Sequence, residues 1–149
     1  MESGLKLSKF FKSLVGSLRY LICTMADILY AVGVVSRFME ASTTTHMKVT
    51  KRILRYLKGT LDYRLLYSSS NYFKFFGFCD SDFAGDIDDR KSTSGFIFFV
   101  GDCAFSWSSK KQHIVTLSTC ESENVAATSC TCHAIWLKRL LEELHMPQK

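Results

Sequence analysis

Proline occurs once and glycine eight times in 149 residues. That scarcity excludes a collagen-like repeat and a proline-rich linker. Long apolar runs are also missing. The most apolar stretch, residues 20–35, is broken by Asp27 and falls short of the ~20 residues that a membrane span needs. No secretory leader is legible. Lys6, Lys9 and Lys12 precede apolar residues, but Arg19 breaks the run and no small-x-small cleavage site follows. Paired CxxC or HxxxH spacings are absent, so Cys120, Cys130, Cys132 and His133 do not make a zinc motif. No glycine-rich turn leads from a strand into a helix, which argues against a P-loop or a dinucleotide site. The acidic stretch Asp86-Ile87-Asp88-Asp89 lacks the glycine and terminal glutamate of an EF-hand. Ser106, Ser108 and Ser109 have no His–Asp arrangement near them in sequence, which argues against a serine triad.

What is present is globular. The length suits one domain, or a small domain plus part of another. Hydrophobic residues make up 47%, charged residues 22% and aromatics 13%, which excludes an intrinsically disordered chain. Twelve phenylalanines point to a sheet, or to a surface meant to be covered. The formal net charge of +5 permits an anionic partner such as nucleic acid without requiring one. Six cysteines, at 23, 79, 103, 120, 130 and 132, lack the density of a small secreted scaffold. They read as reduced thiols in a reducing compartment, cytoplasmic or nuclear.

The first half reads helical. Phe10, Leu14, Leu18 and Leu21 recur at spacings of three and four, which predicts a helix over residues 9–23. Thr24 is a candidate cap for a second helix that ends near Met39. The run Ser42-Thr43-Thr44-Thr45 offers an N-cap for a third helix that ends near Leu57, with Gly59 as its stop. On that helix Val49, Ile53, Leu54 and Leu57 form an apolar side. Lys48, Lys51, Arg52 and Arg55 form a basic stripe. The stripe has two readings: contact with a phosphate backbone, or a solvated outer face.

The period then shortens. Residues 62–67 read as a short strand and Ser68-Ser69-Ser70-Asn71 as a turn, which sets a candidate boundary between residues 1–67 and 73–149. Strands are predicted at 73–82, 93–100 and 104–108, with a short fourth at 113–117. Residues 95–100 are apolar on both faces, which predicts a sheet covered on both sides. Gly101-Asp102 makes a two-residue hairpin turn, and glycine in first place favours type II′. Ser118-x-x-Glu121 is a capping box that opens a long helix. Glu123, Ala126, Ala127, Cys130, Ala134, Leu137 and Leu141 form one stripe along it. The expected class is α/β of the α+β kind: N-terminal helices, then a three-stranded antiparallel meander with a helix packed on it.

Two carboxylates stand out. Glu123 opens the stripe expected to face the sheet, where an unpaired carboxylate is costly. In Phe76-Gly77-Phe78-Cys79-Asp80-Ser81-Asp82 the alternation puts Asp80 and Asp82 on one face with Phe76 and Phe78. The plain alternative is strand-end solubilisation. Together, a strand-end aspartate and an early helix glutamate suggest half of a two-metal carboxylate site, with oxygen ligands suited to Mg²⁺.

Six stretches carry a family resemblance. They are Ser13-Leu14-Val15-Gly16-Ser17-Leu18-Arg19-Tyr20-Leu21, Lys51-Arg52-Ile53-Leu54-Arg55-Tyr56-Leu57-Lys58-Gly59-Thr60 and Asp80-Ser81-Asp82-Phe83-Ala84-Gly85-Asp86. The others are Asp89-Arg90-Lys91-Ser92-Thr93-Ser94-Gly95, Ser106-Trp107-Ser108-Ser109-Lys110-Lys111-Gln112 and Leu117-Ser118-Thr119-Cys120-Glu121-Ser122-Glu123. In this order the chain resembles the C-terminal part of the polyprotein of plant copia-type retrotransposons, over residues 11–148. The resemblance implies that residues 1–67 are the tail and connection of a reverse transcriptase. It implies that residues 73–149 are the front of a ribonuclease H domain, with Asp80 and Glu123 as metal-binding and catalytic acids and RNA–DNA hybrid as substrate.

Departures accompany it. Met25-Ala26 stands where the family usually has Arg-Pro, Met47 and Phe83 where it has Trp, and Asn124 where it has Tyr. The family continues into a further strand with another metal-binding Asp and an Asn, past Lys149. The expectation is a Pol fragment that binds Mg²⁺ weakly and has lost hybrid cleavage, or nearly so, when alone. The alternative is a non-catalytic nucleic-acid-binding remnant, or a module completed by a partner chain.

Overall fold

The computed structural model describes residues 2–63, 65, 67 and 74–146. The chain divides into two compact units, Met1–Arg64 and Leu65–Lys149. Among the described residues no helix is long and apolar enough to cross a membrane.

The first unit is helical. Helix α1 spans Glu2–Leu21, a 3-10 turn spans Ala26–Ile28, α2 spans Leu29–Ser36 and α3 spans Thr44–Gly59. Its core is Phe11, Val15 and Leu18 of α1 against Ile28, Val32, Val35, Met47, Ile53 and Leu57. The predicted α1 stripe is turned by one residue. Phe10 is 60% exposed, and Phe11 takes the buried place at 0%. The spacing Phe11, Val15, Leu18 fits the helical period as well as Phe10, Leu14, Leu18, so period alone did not choose between them. Thr24 does not cap a second helix. Its hydroxyl donates to the Leu21 carbonyl at 3.1 Å and closes α1 instead.

The second unit holds the sheet. Strands β1 (Phe75–Ser81), β2 (Thr93–Val100) and β3 (Cys103–Lys111) form an antiparallel meander in the order β1-β2-β3. Gly101 has φ 62° between β2 and β3, and the positive φ at the first turn position is what type II′ demands of glycine. Helix α4, Thr119–Glu143, packs on β1 and β2. The core beneath it is Phe98, Cys130 and Leu137, with Phe75, Phe96, Phe105 and Ala134 packed around.

Three expectations change here. Residues 113–117 form bends and no strand. Thr116 is instead pinned by its hydroxyl to the Ser92 hydroxyl at 3.2 Å. In the stretch expected as a strand at 62–67, the described residues 62, 63, 65 and 67 are not extended into a ladder, while residues 64 and 66 lie outside the description, as does the turn at 68–71. β1 is an edge strand among the described residues, and β2 is the central one. Only one face of β2 is covered among the described residues. On the other face Phe76 stacks on Phe99 at 5.2 Å and Phe78 is 62% exposed.

Candidate functional site

Cross-strand partners share a face. Gly77 pairs with Phe98, and Phe98 lies in the core under α4. Phe75, Gly77, Cys79 and Ser81 therefore look toward α4, while Phe76, Phe78 and Asp80 look away from it. Asp80 is exposed, and its Oδ1 accepts the Ser81 N–H at 2.9 Å.

Glu123 is also exposed. The α4 stripe that faces the sheet is Ser122, Ala126, Cys130, Leu137 and Leu141, and both Glu123 and Ala127 fall outside it. The cap sets this phase. Ser118 Oγ accepts the Glu121 N–H at 3.1 Å, and the Glu121 carboxylate reaches back to the Leu117 N–H at 2.6 Å. Helix geometry then turns residue 122 inward. The expected placement of Glu123 on the buried stripe is corrected by one position.

One side chain ties the two ends together. Gln112 is 5% exposed. Its amide nitrogen lies 2.8 Å from Ser94 Oγ, 3.0 Å from the Ser122 carbonyl and 3.2 Å from Ser81 Oγ. Two N–H hydrogens thus serve three oxygens on β2, α4 and β1. Asp80 and Glu123 are the chain neighbours of Ser81 and Ser122. The last residue of the Ser106–Gln112 stretch carries the junction, and residue-type reasoning gave it no role. The signal was an amide next to a strand end, with serine hydroxyls at 81 and 94 to receive it.

Asp82 is used differently. Its Oδ1 accepts the Thr93 N–H, and its own N–H donates to the Thr93 carbonyl at 3.2 Å. A Cβ at Gly85 would come 2.1 Å from Asp82 Oδ2. Asp82 has left the strand and does not share a face with Asp80 in β1. The stretch 86–91 is clamped by Lys111. Its Nζ lies 2.6 Å from Asp86 Oδ2 and 2.7 Å from Asp89 Oδ1. The Lys111 hydrogen bond holds the Asp86 carboxyl far below the usual carboxylate range, with the Asp88 and Asp89 N–H groups helping against burial. Asp89 is lowered by the same lysine. Among the described residues no group of three or more His, Cys, Asp or Glu is arranged to hold a metal ion.

The basic stripe lies on α3, in the other unit. Thr43 Oγ1 accepts the His46 N–H at 3.4 Å and His46 Nδ1 accepts the Thr43 N–H at 3.1 Å. This closed cap fixes which side is inward: Met47, Thr50, Ile53 and Leu57. Val49 and Leu54, expected inside, are exposed at 42% and 37%. Lys48, Lys51, Arg52 and Arg55 are exposed, and with Thr45 and Val49 they line an open groove of about 430 Å³.

No family model and no solved structure matches this chain. Known sequences do. The chain is 49% identical over 149 residues to the retrovirus-related Pol polyprotein from transposon TNT 1-94 of Nicotiana tabacum, covering 99% of this chain and 11% of that one. It is 41% identical over 146 residues to the Pol polyprotein from transposon RE1 of Arabidopsis thaliana, covering 97% of this chain and 10% of the relative. A secreted RxLR effector protein 161 of Plasmopara viticola is 41% identical over 128 residues, which is 90% of its own length. The chain thus spans about a tenth of the length of the polyproteins it matches. Along nearly its whole length the chain is thus homologous to a segment of the retrovirus-related Pol polyproteins of copia-type transposons.

Proposed function

We propose that the second unit is a ribonuclease H-like module and that Asp80 and Glu123 are its metal-binding and catalytic acids, acting on RNA–DNA hybrid. The observation that carries this reading is the Gln112 junction. It binds Ser81 and Ser122, so the strand end with Asp80 and the helix start with Glu123 are tied to one amide. Both acids are exposed, which leaves room for a cation that keeps several of its waters. Oxygen donors suit Mg²⁺, and Asp80 and Glu123 would hold it at the strand end, Asp80 reaching there from the face of β1 turned away from α4. Bound there, it would activate water and stabilise the leaving oxygen in phosphodiester cleavage.

Two carboxylates neutralise a metal pair poorly, so the 149-residue chain by itself cleaves hybrid slowly or not at all. The test is a hybrid-cleavage assay with Mg²⁺ or Mn²⁺, run beside Asp80→Asn and Glu123→Gln. We expect at most slow cleavage, removed by either change. Vigorous cleavage by the wild-type chain would overturn the inactivity. Slow cleavage that survives both changes would overturn the site.

The α3 groove supports a second reading, a non-catalytic module that holds nucleic acid through Lys48, Lys51, Arg52 and Arg55. Four exposed cations on one side of a capped helix suit a phosphate backbone. Binding without cleavage, lost when these four are changed, favours that reading.

A further inference from the structure

Two of the six cysteines meet across the β1–α4 interface. Cys79 stands opposite Phe96 in the β1–β2 register, so the two side chains leave the sheet on one face. Phe96 packs against the cluster that contains Cys130, which identifies that face as the one under α4. His133, one helical turn after Cys130, packs its ring on Phe96 at 4.9 Å, which sets Cys130 over the strand position that Cys79 shares, and Cys79 is among the groups that raise the Cys130 thiol. The pair differs in access. Cys130 is 9% exposed, whereas Cys79 lies exposed on the edge strand.

We propose that Cys79 and Cys130 form a redox-modification site, in which a peroxide closes a disulfide that staples α4 to β1. Cys79 Sγ attacks one oxygen of hydrogen peroxide. The O–O bond breaks, hydroxide leaves and takes up the thiol's proton as water, and Cys79 becomes a sulfenic acid. Cys130 Sγ then attacks Cys79 Sγ. The S–O bond breaks, and the hydroxyl departs with the Cys130 proton as a second water. In sum two thiols and one peroxide give one disulfide and two waters, with both sulfurs oxidised and the peroxide reduced.

The order follows from access. Burial, helped by Cys79, pushes the Cys130 thiol up to about 11. A protonated, buried thiol is a poor first nucleophile, so it resolves an intermediate formed on the accessible partner. Cys132 is exposed and two residues along the helix, where it points away from Cys130. The bridge closes a loop of about fifty residues, which restricts the unfolded chain.

The experiment treats the reduced full chain with hydrogen peroxide, alkylates the remaining thiols, and reads cross-linked peptides and thermal melting. We expect a cross-link between the peptides holding Cys79 and Cys130. It should persist in Cys120→Ser and Cys132→Ser and vanish in Cys79→Ser. The melting temperature of the oxidised chain should rise by about 5 °C or more and return with dithiothreitol. Cys79→Ser changes an exposed residue, so the result does not depend on whether a Cys130 variant folds. A cross-link that survives Cys79→Ser, products that are only intermolecular, or Cys79 oxidised while Cys130 stays a free thiol would each overturn the proposal.

Discussion

Residue by residue, small side chains in the second unit are set by what lies above them. Gly77 is the sharpest case. A Cβ there would come 2.4 Å from Cδ1 of Phe98 and 3.0 Å from the Ile97 carbonyl oxygen. Phe98 is 2% exposed and stacks on Phe75 at 5.5 Å, so its ring has nowhere to go. Gly77→Ala should therefore destabilise the second unit by about 1–3 kcal/mol through overpacking. Gly16 is the control, because nothing lies within 4 Å of its would-be Cβ and it sits inside α1. Gly16→Ala should stabilise by about 0.5–1 kcal/mol, since alanine is the better helix former. Urea midpoints of the two variants measure both signs. A Gly77→Ala chain as stable as wild type would mean that the sheet and α4 are looser than this packing implies.

At the level of elements, sequence pattern found what local chemistry dictates. β2 runs over 93–100 as expected because a β-rich apolar run is bounded by turn residues at both ends. The caps at Thr43 and Ser118 were legible because a hydroxyl three residues before its partner N–H is a local event. What failed was the phase of long stripes, in α1 and at Glu123, where one-residue rotations cost a periodicity argument nothing but move a side chain from core to solvent. The strand expected at 113–117 failed for another reason. Its residues are fastened through the long-range Thr116–Ser92 contact, which no local pattern encodes. The candidate acids were legible as residue types, while the Gln112 junction between them joins three elements and was not.

The 86–91 loop has the same long-range character and yields a pH prediction. Asp86 and Asp89 have their carboxyls lowered by Lys111 at the end of β3. A lowered folded value means that the carboxylates' contribution is complete above the ordinary carboxylate value near 3.8. It is lost as pH falls through the depressed folded values. Lys111→Met removes the partner and should lower stability at pH 6. The gap to wild type should narrow steadily below about pH 4, where the unfolded carboxylates take up protons. Urea midpoints of both chains between pH 6 and pH 2 read this directly. A gap that stays constant over that range would assign the Lys111 effect to packing of its alkyl stem instead.

Across the whole molecule, charge is divided unevenly between the units. Residues 1–64 carry eleven Lys and Arg against four Asp and Glu, a formal +7, while residues 65–149 carry eight against ten, a formal −2. The overall +5 therefore hides a basic unit and a mildly acidic one. Any affinity for a polyanion should come from the first, and within it from the exposed α3 stripe, because only clustered cations displace counterions together. Four phosphate contacts give an expected log–log salt slope of about −3 to −4 on duplex. Arg52→Ala and Arg55→Ala should each reduce that slope by about 1. Asp88→Asn, at an exposed position in the acidic unit, should leave the slope unchanged while altering net charge by the same single unit. Fluorescence anisotropy over a salt series separates the two cases. Slopes that follow net charge equally for all three variants would show diffuse attraction by the whole surface, and a slope near zero would remove the α3 interface altogether.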